Sequence, residues 1–266
     1  MNYLSFPPGP GLSSLAAAMV LTLVRVSTLV ALAPLFSSKS LPARTKAAFC
    51  GVLVWLLIPS VAAAVGTSKV DITFGTVMGE VAAGAVYGLT LSLLQEMLLL
   101  AGQFVGMQFS FSLVNLLDPA SEIQTPLMGD LFNLLGTLTL MAAGLDRVLL
   151  ASLVRSLRVV PPGGFHLSAI PTVSSTLIPM VAGCFLAALE LAAPVLAATI
   201  LVEISVGLMG KISPQLPVIS LTIPLKTLTG FALLMGSMAL WPRFVEGRFS
   251  ALLDVAEKLI VAGGRG

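Results

Sequence analysis

The residues with chemistry to do in this sequence are the ionisable side chains that interrupt apolar runs. Arg25, Glu80, Glu96, Glu190, Glu203 and Lys226 each lie within or beside a stretch of otherwise uncharged residues. An ionised group facing hydrocarbon costs at least about 2.5 kcal/mol. Each of the six must therefore face protein, water or an opposite charge. Four carboxylates spread over two long apolar segments could relay a proton or an ion. The blander reading is charge pairing between helices or between subunits. Glu96 and Gln103 are seven apart and share nearly one helical face.

Catalysis is not expected. His166 is the one histidine and lies in a loop, so no Ser/His/Asp set can form around it. No Gly-rich loop ending in Lys-Ser or Lys-Thr is present to cradle a phosphate. Asp71, Asp118, Asp130 and Asp146 fall at the ends of apolar runs rather than in pairs within them. Cys50 and Cys184 sit singly in apolar surroundings and read as small buried hydrophobes, so neither a metal nor another cofactor is expected. A net charge of +2 does not point to nucleic acid.

A second candidate is the stretch from Gly102 through Gly106, Met107 and Phe109 to Phe111, followed by Asp118-Pro119. Glycine, glutamine and serine alternate there with Phe and Met. Irregular backbone at membrane depth is tolerated only inside protein or against a water-filled cavity. Soft Met and Phe side chains can deform and reseal around a passing chain. An ordinary kinked helix remains the alternative. Glycines four apart form a third feature: Gly75 and Gly79, Gly84 and Gly88, Gly102 and Gly106. That spacing stacks small residues on one face and lets helix backbones approach, within the chain or between chains.

The elements that must position these residues follow from composition. Only 10% of the residues are charged, against about 25% in an ordinary soluble domain. Hydrophobic residues make up 57%, and the mean hydropathy is +1.03. The solvent for most of the chain must be lipid or apolar protein, which makes it an all-α, polytopic helical membrane protein in one membrane domain. Candidate spans are residues 13–36, 47–66, 74–117, 126–150, 170–210 and 218–241. Two of these, 74–117 and 170–210, are too long for one crossing. The first reads either as one long helix followed by a re-entrant segment or as two helices in a hairpin, and Pro179 and Pro194 can kink the second. A short amphipathic tail is expected after Trp241-Pro242. The first residues carry no cation, so no cleavable signal peptide is expected.

In this order, the segments resemble the FliR/SctT family of type III export-gate membrane proteins. The resemblance rests on Arg25, Pro34, Phe36, Pro42, Arg44 and Lys46, then on Gly79-Glu80, Gly84 and Gly88. It continues through Ala101-Gly102-Gln103, Gly106, Gln108 and Asp118-Pro119 to Ser213-Pro214-Gln215, Pro224-Leu225-Lys226 and Gly230. It implies a subunit that joins FliP-like and FliQ-like partners in a closed helical ring around a channel for unfolded polypeptides, with FlhB-like and FlhA-like components nearby. It implies an inner-membrane location in the flagellar basal body. It also implies a FliP-like part over about 1–165 and a FliQ-like part over about 166–266. Residues 106–122 match the family's plug, which casts Met107, Phe109 and Phe111 as sealing side chains and Gly102 and Gly106 as flexible points. The six buried charges become inter-subunit pairs. A virulence-injectisome member of the same family stays open as an alternative. So does a secondary transporter of a small solute or ion, for which broken helices and buried carboxylates would also serve.

Overall fold

The computed structural model describes residues 11–33, 42–66, 68–109, 127–166, 170–213, 215 and 218–264. Its regular elements are helices: α1 Leu12–Leu32, α2 Ala43–Val65, α3 Phe74–Gln108, α4 Leu127–Ala142, α5 Leu145–Val159, α6 Ile170–Ile212, α7 Val218–Ser237 and α8 Trp241–Gly263. A 3-10 turn at Met238–Leu240 joins the last two. Among the described residues, five helical stretches are long and apolar enough to cross a membrane, or six if α4 and α5 count as one broken span. The all-α, polytopic expectation therefore holds.

Local chemistry explains the boundaries. Pro42 stands just before α2, where its missing N–H costs nothing. The Thr76 hydroxyl accepts the Thr73 N–H at 2.8 Å and ties down the start of α3. Gly144 takes a left-handed conformation (φ 69) that few other residues adopt cheaply, and it divides α4 from α5. Asp146 in the first turn of α5 and Arg158 in its last suit the helix dipole. Pro161-Pro162 then prevents the helix from continuing.

Two expectations are corrected and one open choice is decided. Residues 126–150 are not one unbroken helix: the chain turns by 67° at Ala143–Gly144 and continues as an amphipathic helix, so the span is at most a broken one. The long segment from Phe74 is a single helix as far as Gln108. The expected short tail is a 23-residue helix. Its Val245, Phe249, Leu252, Leu253, Ala256, Leu259 and Ile260 recur every three or four residues and are buried, as one face of an amphipathic helix requires. Helix α6 runs through Pro179 and Pro194 without interruption.

The chain divides into two compact units that interleave in sequence. Unit 1 comprises Met1–Leu93, Gly144–Met180 and Phe249–Gly266; unit 2 comprises Leu94–Ala143 and Val181–Arg248. In unit 1, α1 packs on α2 and α2 on α5, around a core that includes Leu21, Val26, Val61, Tyr87, Leu157 and Ile260. In unit 2, Leu98 of α3 lies against Gly136 of α4, and Phe132 of α4 meets Trp241 of α8 with ring centroids 4.8 Å apart.

Candidate functional site

Unit 1 is organised around a buried ion pair. Arg25 in α1 and Glu80 in α3 are both fully inaccessible to solvent. The Arg25 Nε donates to Glu80 Oε2 at 2.6 Å and Nη2 donates to Oε1 at 3.0 Å, a two-pronged contact that fits the planar guanidinium to the carboxylate. The remaining capacity is taken up locally. Nη1 donates to the Ser156 hydroxyl at 3.2 Å, and Nη2 donates to the Val160 carbonyl at 3.3 Å. Glu80 Oε1 accepts the Gly163 N–H at 2.8 Å. A buried ion pair recovers its desolvation cost only with such geometry and such additional bonds. Four pieces of chain meet here: α1, α3, the end of α5 and the Pro-Pro-Gly-Gly turn that follows it.

The backbone makes the close approach possible. A Cβ on Gly84 would overlap the Arg25 carbonyl oxygen, so the glycine lets α1 sit directly on α3 beside the pair. Gly88 plays the same part against Leu32, and Gly79 against the Phe165 carbonyl. Gly75 does not: nothing lies within 4 Å of where its Cβ would be. Gly163 has a φ of +87, which turns its N–H toward Glu80.

A second polar cluster joins α3 and α5 to α8. Ser152 in α5 donates to Glu257 of α8 at 2.6 Å, and the Tyr87 hydroxyl donates to the Ser152 carbonyl at 3.3 Å. Arg155 reaches Glu257 at 3.3 Å from a mostly exposed position. Sequence reasoning did not single out Ser152, Ser156, Tyr87, Glu257 or the Gly163 N–H. The Pro-Pro-Gly-Gly turn was the available signal for the last of these.

Unit 2 handles its charges differently. Lys226 is buried and ion-pairs with Glu203, whose side chain is 52% exposed. Arg248 pairs with Glu190 and lies 5.3 Å from the centroid of the Phe244 ring, with both charged side chains partly exposed. Glu96 is exposed and makes no ion pair among the described residues. Of the six charges expected to pair between subunits, five thus have a partner within this chain.

The Gly/Phe/Met stretch is also in unit 2. Gly102 lies against the backbone of Met128 and Gly129, where a Cβ would overlap, and Gly106 faces the Met128 side chain. Both are helical positions of α3. Met107 is exposed. Phe109 is buried, stacked on Phe231 of α7 at 5.0 Å between centroids and set against Gly230. Phe111, Asp118 and Pro119 lie outside the described residues.

Comparison with known proteins places this arrangement in a family. The family described as "Bacterial export proteins, family 1" matches residues 16–252. The chain is similar to a protein named "Flagellar biosynthetic protein FliR" from Caulobacter vibrioides, at 27% identity over 88% of this chain and 94% of that one. Its namesakes from Escherichia coli and Bacillus subtilis are 25% and 23% identical, over 90% and 93% of this chain and 90% and 96% of theirs. Buried Arg25 and Glu80, tight glycine contacts along α3 and multiple membrane-length helices are therefore features of a chain that belongs to the bacterial export proteins, family 1.

Proposed function

We propose that this chain is a subunit of the protein-conducting export gate of the flagellar type III secretion apparatus, set in the bacterial inner membrane, through which unfolded flagellar proteins pass. The observation that carries this reading is the likeness to proteins named for flagellar biosynthesis, which covers 88–93% of this chain and 90–96% of theirs. The partners are the FliP-like, FliQ-like, FlhB-like and FlhA-like components that the family resemblance implies. Unit 2 supports a need for such partners. Its α6 and α7 expose Leu201, Leu208, Leu228 and Met235, and Glu96 on α3 has no counter-ion among the described residues.

Within that gate, Met107, Phe109 and Phe111 act as a seal and the segment through Asp118-Pro119 as the plug. Phe109 docked on Phe231 represents the closed arrangement, and Gly102 and Gly106 give α3 its compliance. Glu96, Glu190, Glu203 and Lys226 complete their environment with groups from neighbouring subunits.

Deleting the gene and restoring it on a plasmid tests the role. Loss of flagellar proteins from the medium on deletion, regained on complementation, is expected. Undiminished export in the deletion strain contradicts it. The seal is tested separately: Phe109→Ala or Phe111→Ala in the assembled complex raises ion conductance, and variants that stay ion-tight while exporting normally remove the sealing role.

A further inference from the structure

We propose that a wholly apolar hollow in unit 1 is a binding site for the end of a lipid acyl chain. On α3, Glu80, Gly84, Tyr87 and Gly88 turn toward α1 and α5. Ala82, Ala85 and Leu89, spaced three and four apart, turn the other way. There they line a hollow of about 160 Å³ together with Met180 of α6, Leu259 of α8 and Phe165. Every residue that lines it is apolar. A water inside would find none of the two to four polar partners it needs, whereas an apolar cavity of about 150 Å³ stays dry and takes up a molecule the size of benzene.

The hollow is preformed. Phe165, one wall, has its backbone against Gly79 and its ring against Gly263, two positions where no side chain intrudes. The His166 N–H donates to the Gly263 carbonyl at 2.9 Å and ties the Phe165 segment to the end of α8. The space exists because α3 presents two methyl groups, Ala82 and Ala85, where leucines would fill it. The enclosure is incomplete, and Ile178, next to the lining on α6, is 75% exposed, so the rim is apolar and outward-facing. Around a chain of this hydropathy, the abundant molecule that is apolar, narrow and flexible enough to thread such an opening is the hydrocarbon tail of a phospholipid. The site selects for the chain and not for the headgroup, because the charged network occupies the opposite face of α3.

Native mass spectrometry of the full chain, released from nanodiscs of phosphatidylcholine and separately of phosphatidylglycerol, tests this. The wild-type chain should retain one lipid that resists collisional removal, whichever headgroup is supplied. Ala85→Leu and Ala82→Leu should each lower its retention by about tenfold or more, since each takes up the space of several methylenes. Both variants should unfold at no lower temperature than wild type, which shows that they fold. Ala182→Leu, on an exposed position of α6, should leave retention unchanged. Equal retention in wild type and both filled variants overturns the proposal, as does retention that follows the headgroup. Loss of the lipid when the export complex assembles assigns the hollow to a partner's side chain and overturns it too.

Discussion

Units 1 and 2 bury polar groups in opposite ways. In unit 1 the fully buried Arg25 makes four hydrogen bonds and Glu80 accepts three, all within the chain. In unit 2 the ion pairs are half open to the exterior. The buried side-chain atoms without a hydrogen-bond partner among the described residues also fall there: Gln95 Oε1, Asn133 Oδ1 and Trp241 Nε1. A buried polar atom left unpaired costs about 1–3 kcal/mol. The buried charges of unit 1 are satisfied within the chain, whereas unit 2 leaves three buried polar atoms without a partner among the described residues. Under the proposed function, unit 1 is the part that holds its own shape and unit 2 the part left for other chains to finish.

The comparison breaks or sharpens first at Arg25. Arg25→Leu strands Glu80 inside unit 1 and should cost about 3–5 kcal/mol, read as the unfolding midpoint of the purified chain in detergent. Lys226→Leu in unit 2 should cost less, because Glu203, with its side chain 52% exposed, is not sealed inside the chain as Glu80 is. Equal losses would erase the distinction. Next comes packing: Gly84→Leu forces α1 off α3 and should cost about 1–3 kcal/mol. Gly75→Ala has open space and should be neutral, or stabilising by up to about 1 kcal/mol. Third, Ser152→Ala removes a hydrogen bond to Glu257 and should cost about 1 kcal/mol in the same unfolding measurement. The smallest effect is expected at Arg155→Ala, an exposed pair worth about 0–1 kcal/mol, with sensitivity to added salt.

Much of the helical framework was legible because roughly 20 uncharged residues in a row can do little else in lipid. The costly charges were legible for the same reason. Their partners were not: Arg25 and Glu80 are 55 residues apart, and the register of α1 on α3 is a property of packing rather than of spacing. Gly75 shows the limit of a spacing rule. It has the same four-residue offset as Gly84 and Gly88, yet it lies in the first turn of α3 with nothing opposite. The break at Gly144 stands just before Asp146-Arg147, so the charges marked the end of the apolar run, but the left-handed turn that starts a new helix there leaves no mark on hydropathy. Charges at Arg243, Glu246 and Arg248 made α8 read as a tail, although its apolar residues already carried a helical period. Ser152 and Ser156 were missed because a lone serine in an apolar helix reveals its role only once a charge stands beside it.

Side-chain mobility on the outer face of α7 tests most directly whether unit 2 is finished by other chains. Leu228, 69% exposed, would be replaced by cysteine in a Cys50→Ala, Cys184→Ala background and labelled with a nitroxide. Its electron paramagnetic resonance spectrum should show a mobile label in the chain alone and an immobilised one when the chain is purified with its co-expressed export-gate partners. A spectrum that stays mobile in the assembled complex would contradict the assignment of this face to subunit contact.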